Sequence, residues 1–220
     1  SNDYVVVPYT AFDVGTISLW VKANGATYAN SSHNFLLFQL VNKFNVFASL
    51  STDAIKTQCG GHPAFGYGSS RSTTDIADGD WHHIVCTVSG GGSGTEMTMR
   101  VYTDGSLEDT DSNTATYTAA TAKVRIGGNW YSSYYSNANI DEVGVWDVAL
   151  DADAITQLYN SGVPTDLQTD SGNYDNSGDL VHYWRMGEGD SYPTIEDNEG
   201  SLDMTMTNMS SGDIVDVAPS

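Results

Sequence analysis

Basic residues are scarce. The chain of 220 residues holds 8 Lys and Arg against 28 Asp and Glu, a formal net charge of −20. So acidic a surface repels nucleic-acid phosphates and anionic lipid headgroups, which argues against both as partners. Cysteine is scarcer still, with Cys59 and Cys86 alone. Without a Cys-x-x-Cys pair, zinc and thioredoxin-like redox motifs have no support, while one disulfide and two buried thiols both stay open. No apolar run reaches the ~18 residues of a membrane helix. The first residues lack a basic region followed by an apolar one, so any export signal is expected outside this stretch.

What is present is a core and many turns. Hydrophobic residues make up 40% and aromatics 11%, enough to exclude a disordered acidic tail, while charged residues make up only 16%. Short apolar or alternating runs recur between Gly, Asn and Asp: "DYVVVPY" (3–9), "TISLWVKA" (16–23), "NFLLFQLV" (34–41), "FNVFASLS" (44–51), "DWHHIVCTVS" (80–89), "TEMTMRVYTDG" (95–105), "AKVRIGG" (122–128) and "IDEVGVWDV" (140–148). Each reads as a strand. Met97, Met99 and Val101 fall on one face of their run, with Thr98, Arg100 and Tyr102 on the other. Asp104-Gly105 supplies the positive φ of a tight hairpin. One helix is expected: Asp151 caps "ADAITQLYN", Ile155, Leu158 and Tyr159 share a side, and Gly162 lies just past the end. The stretch 163–179, with four Asp and no base, reads as a long surface loop before strand pattern resumes at "LVHYWRMG" (180–187). Strands so spaced, without helices between them, predict a β-sandwich or barrel.

The order "SLWVK", "DGDWHHIVCTVS", "RVYTDG", "VRIGG" and "IDEVGVWDVALDADAITQLYNSG" resembles the laminin-G-like group of the concanavalin A-like lectin/glucanase superfamily, over about 1–162, and its last element is also similar to the pentraxins. The resemblance implies an all-β jelly-roll sandwich of two antiparallel sheets with one short helix, frequently used to bind glycans and often holding calcium. "LVHYWRMGEGDSYPTIEDNEGSLDMTMTNM" (180–209) is similar to the opening segment of such domains but stands at the other end. A circularly permuted single domain is therefore expected, with 180–209 completing the sandwich. That tail also resembles virion proteins of marine bacteriophages.

Catalytic signatures are wanting. The related glucanases place acids Glu-x-Asp-x-Glu on one strand face. Strand alternation predicts that Asp141 and Glu142 point to opposite faces, and that Asp147, on the Asp141 face, lies ~20 Å away at ~3.3 Å per residue. Glycosidases need ~5 Å, or at most ~9.5 Å, between their carboxyl groups. Glu142 then reads as a structural acid. "GGGSG" (90–94) lacks the Lys and helix of a phosphate loop, and no Ser or Cys sits in a nucleophile elbow. His82 and His83 are expected to be structural, one ring inward and one outward.

Two binding features stand out. By resemblance, the "DNEGSLD" turn (197–203) offers Asp197 and Asp203 as calcium ligands, joined by Asp141 if its strand neighbours that loop; turn-forming acids without a metal are the bland alternative. The stretch matching the pentraxin acidic loop, 127–135, has no acid. It carries instead Asn129, Trp130, Tyr131, Tyr134 and Tyr135, rings and amides of the kind that stack on and bond to sugars, or that pack inward to close the sandwich end. The expectation is a non-catalytic carbohydrate-binding or adhesion domain, extracellular or on a virion surface. Glycans or host-surface polysaccharide are the expected partners, without nucleic acid or membrane insertion. The alternatives are an assembly module contacting other virion or surface proteins and, third, a polysaccharide-degrading enzyme.

Overall fold

The computed structural model describes residues 3–10, 15–24, 35–40, 44–50, 54–60, 70–90, 96–113, 122–128, 135–215 and 219. In chain order these form β1 (Tyr4–Thr10), β2 (Thr16–Asn24), β3 (Phe35–Leu40), β4 (Phe44–Leu50), β5 (Ile55–Gly60), β6 (Ser70–Arg71), β7 (Asp78–Gly90), β8 (Met97–Thr103), β9 (Ser106–Asn113), β10 (Ala122–Ile126) and β11 (Ala138–Trp146). There follow α1 (Ala152–Tyr159), β12 (Leu180–Trp184), β13 (Thr194–Ile195) and β14 (Met204–Thr207). Every run marked as a strand in the sequence is one. The strand β9, "SLEDTDSN", escapes the pattern because it has no apolar alternation.

Two antiparallel sheets result. The larger has the order β13-β14-β1-β10-β3-β4-β5-β6 and the smaller β12-β11-β2-β7-β8-β9. Residues 180–207 thus contribute to both: β12 flanks β11, and β14 flanks β1. The main core lies between the sheets, with Val5, Phe38, Val46 and Val124 from one meeting Leu19, Ile84, Met99 and Val145 from the other. A disulfide between Cys59 on β5 and Cys86 on β7 ties the sheets together through this core, which resolves the choice that the sequence leaves open.

A third layer covers the outer side of the smaller sheet. Val85, Tyr102, Trp146 and Tyr183 pack beneath Ile155 and Leu158 of α1 and beneath Leu167 and Tyr174 of the following loop. The Trp146 indole donates to the Tyr174 hydroxyl (3.1 Å), which donates to the Leu167 carbonyl (2.6 Å). The acidic loop is therefore anchored by two buried side chains, and Tyr102 is buried beneath this layer. Asp151 caps α1 by accepting the Ala154 amide at 2.8 Å. The helix ends at Tyr159, one residue short of the expected run, and Asn160 as its C-cap takes the left-handed conformation itself (φ 45°).

Candidate cation and ligand site

The strand β11 carries the decisive irregularity. Along β2 it pairs Asp141 with Trp20 and next Gly144 with Ser18, so three steps on β11 match two on β2. The extra residue is a β-bulge, and Glu142 takes it up with φ 49°. Alternation fails at that point. The expectation that Asp141 and Glu142 face opposite ways is therefore corrected: their carboxylate oxygens, with one of Glu188, lie within 4.8 Å of one another. Glu188 arrives from the turn after β12, where Met186 also has positive φ (58°).

The three acids are poorly neutralised. Asp141 and Glu142 are 8% and 6% exposed. The Tyr183 hydroxyl donates to Glu142 Oε2, and the Glu142 amide donates to Asp141 Oδ1 at 2.9 Å. Arg185 Nε stands 3.5 Å from Glu142 Oε1 and 3.9 Å from Glu188 Oε2, at ion-pair rather than hydrogen-bond distance. Glu188 Oε2 and the nearby Asp190 Oδ2 are buried without a hydrogen-bond partner. Burial, and then the Glu142 charge, push the Asp141 carboxyl up to about 7, and burial raises Glu142 as well. Two buried acids and a half-exposed third, one oxygen of them unpartnered, form an all-oxygen donor set that fits a hard divalent cation such as calcium.

The turn at 197–203 is built oppositely. Asp197 Oδ1 accepts the amides of Tyr183 (3.0 Å), Glu199 (3.3 Å) and Gly200 (2.9 Å), and Oδ2 accepts Leu202 N (2.9 Å) and His182 Nδ1 (2.7 Å). Asp203 Oδ1 accepts the Asp197 amide at 3.0 Å. Burial alone would raise Asp197, but these bonds outweigh it and hold the carboxyl at about 2. Gly200 is required here, since a Cβ would stand 2.5 Å from both Asp197 Oδ2 and His182 Nδ1. The structure thus groups Asp141 with Glu142 and Glu188, not with Asp197 and Asp203. Glu188 escaped the sequence reading because only the bulge and the turn bring it near; the Arg185-x-x-Glu188 spacing was its sole local signal.

A cleft of about 260 Å³ opens beside Asp141 and Met186. Ile126, Ile140 and Met206 line it together with Trp81, Asn137 and Asn139. Tyr4 also lines it and stacks on Tyr135 with ring centroids 6.1 Å apart, and the Arg125 guanidinium lies 3.9 Å over the Tyr4 ring. Tyr135 therefore packs against the larger sheet. Asn129, Trp130, Tyr131 and Tyr134 lie outside the described residues.

The two histidines are both buried. His82 is held by Asp104 (2.8 Å) and Asp78 (3.1 Å), and the Asp104 bond leads in raising it to about 9. His83, 1% exposed, meets Ser18 Oγ at 2.7 Å, and burial lowers it to about 4. A Ser–His pair so enclosed cannot meet a substrate.

Two antiparallel sheets face to face, with a single short helix among the described residues, make a jelly-roll sandwich, and Asp141 of the acidic cluster also lines the cleft. The family model of the concanavalin A-like lectin/glucanases superfamily, Laminin_G_3, matches residues 1–156, and the chain belongs to that family. No curated protein matches the chain by sequence. Among solved structures it is similar to the native heptameric SAP-like pentraxin of Limulus polyphemus, with a TM-score of 0.53 and 18% identity over 71% of this chain and 75% of that one. The binding domain of Paraclostridial Mosquitocidal Protein 1 gives 0.50 and 15%, over 70% of this chain and 38% of that one. Domain 4 of AbnA, a GH43 extracellular arabinanase from Geobacillus stearothermophilus, solved with arabinotriose, gives 0.49 and 21%, over 70% and 71%. At these identities the likeness concerns the fold alone.

Proposed function

We propose that this domain is a non-catalytic carbohydrate-binding module, acting outside the cell or on a virion surface, in which a divalent cation braces the wall of the ligand cleft. The observation that carries this reading is the convergence of Asp141, Glu142 and Glu188 next to that cleft. Asp141 and Glu188 would hold the ion with Glu142, whose other oxygen is committed to Tyr183. The ion would supply charge neutralisation and fix Asp141 in place; the chain's own Asn139 and Trp81 offer an amide and a ring to a sugar. The aromatic residues Trp130, Tyr131 and Tyr134 belong to the same proposal as further stacking groups. The Cys59–Cys86 disulfide agrees with an oxidising setting.

The non-catalytic reading is supported by how Glu142 is committed within the chain: the Tyr183 hydroxyl donates to its Oε2, and Arg185 Nε stands 3.5 Å from its Oε1. The test is a glycan array read in calcium and in EDTA, with Asp141→Asn and Trp130→Ala controls. Retention of a glycan in calcium, weakened by EDTA and by either variant, is the expected result. No bound glycan, together with altered oligomerisation in Trp130→Ala, would establish an assembly module instead. Release of reducing ends from a polysaccharide would establish an enzyme.

A further inference from the structure

The turn between β8 and β9 and the last turn of α1 enclose a second depression, of about 480 Å³, which shares no lining residue with the cleft described above. One of its walls is the Tyr159 ring. That ring belongs to a three-ring cluster, lying 6.3 Å from His83 and 6.0 Å from Trp20, which themselves stack at 4.9 Å and are buried. It thus rests on two buried rings. Gly105, with φ +74°, lets the hairpin turn lie against it; a Cβ there would stand 3.2 Å from Tyr159 Cβ and Cδ1.

Polar side chains around this ring divide into two sets. Asp104 is committed to His82 and His83, and the Thr156 hydroxyl to the carbonyls of Gly105 and Ala152. Asp153, Gln157, Asn160, Ser161 and Asn173 also line the depression, yet their side chains have no hydrogen-bond partner in the protein. Two of them sit on strained backbone. Asn160 (φ 45°) and Ser161 (φ 57°) are consecutive left-handed residues at a helix end where glycine is the default. Glycine would adopt these angles at no steric cost, so the strain is tolerated together with the two side chains it presents.

From these groups we infer a second binding site, for a neutral saccharide. One sugar face lies on Tyr159, and its hydroxyls bond to the amides of Gln157, Asn160 and Asn173, to Ser161 and to Asp153. Amides and a carboxylate beside an aromatic ring suit a polyhydroxylated ligand, and the volume lies within the range of small-molecule sites. The lining carries Asp104 and Asp153 and no base, which disfavours an anionic sugar. No acid of the proposed cation site takes part, so this site works without calcium.

The test is titration of ¹⁵N-labelled protein with laminaritriose, cellotriose and xylotriose in EDTA, which silences the cation-dependent cleft. At least one trisaccharide should shift the amides of Gly105, Ser106, Asp153 to Gly162 and Asn173. The double variant Asn160→Gly/Ser161→Gly relieves the backbone strain and keeps the fold. It should melt no lower than the parent and bind at least about tenfold more weakly, the loss of roughly one or two hydrogen bonds. Gln157→Ala, on the helix surface, should weaken binding in the same direction. Undiminished binding by the double variant, or no trisaccharide response at these amides, overturns the site. Tighter binding of a glucuronate-containing trisaccharide overturns its neutral specificity. Because the titration omits calcium, a failed glycan array leaves this result standing, and the reverse holds equally.

Discussion

Asp141, beside the bulge of β11, and Asp197, in the turn after β13, are both buried acids, yet their surroundings act in opposite senses. Asp197 gathers four backbone amides and a histidine around one carboxylate and is held at about 2. Asp141 accepts one amide, faces two other acids and is pushed up to about 7. The first carboxylate has its partners within the chain and serves the fold. The second set keeps an oxygen, Glu188 Oε2, that no hydrogen-bond donor among the described residues takes up. Burial of an acid alone therefore says little; what decides its role is the count of donors that arrive with it.

The largest expected effect comes from removing the satisfied acid. Asp197→Ala leaves five donors without their acceptor and should cost on the order of 3–5 kcal/mol, read as a fall in the urea midpoint with little change in slope. An Asp197→Ala protein that melts like the parent would erase the contrast. Next comes the unsatisfied set. Calcium at a hundredfold excess over its Kd should stabilise the parent by about 2.7 kcal/mol, and EDTA should reverse the shift. Asp141→Asn should abolish it, whereas Asp203→Asn should keep it. An unchanged melt in calcium and EDTA would mean that the cluster holds no ion.

The two acids also predict opposite pH slopes. The low value of Asp197 means that the unfolded chain binds its proton first, so about 2 kcal/mol of stability is present above pH ~4 and lost as pH falls toward ~2. The raised value of Asp141 has the reverse sign. In EDTA the folded protein keeps that proton longer than the unfolded chain, so stability declines as pH rises from ~4 through ~7, and Asp141→Asn should flatten this decline. Smallest is the effect at Asp151, a cap that accepts one amide at the surface: Asp151→Ala should cost about 1 kcal/mol by thermal melt. It calibrates what a single donor is worth to a carboxylate here.

How much the sequence disclosed follows from the range of each signal. The eight strand runs, the Asp104-Gly105 hairpin and the Asp151 cap were legible because alternation, turn chemistry and capping act within a few residues. The edge strand β9 was not, since its acids are satisfied from another segment: Glu108 accepts the Thr73 amide and Asp109 the Arg71 amide. The acid cluster was read backwards. Alternation is sound for a regular strand, but Glu142 is not a residue type that advertises positive φ, and the bulge is visible only in the pairing of β11 with β2. Glu188 comes from 46 positions further along the chain than Glu142, with nothing local to announce it.

The bulge at Glu142 has a consequence for relatives of this domain. Whether two neighbouring acids converge or diverge depends here on how many residues the strand spends between fixed partners, not on which residues they are. A homologue with Asp and Glu in the same order but one residue fewer would send one carboxylate through to the opposite side of the sheet and dissolve the cluster, with every acidic letter intact. Presence of the site is thus encoded in length, and a one-residue gap in an alignment would predict its loss better than any substitution.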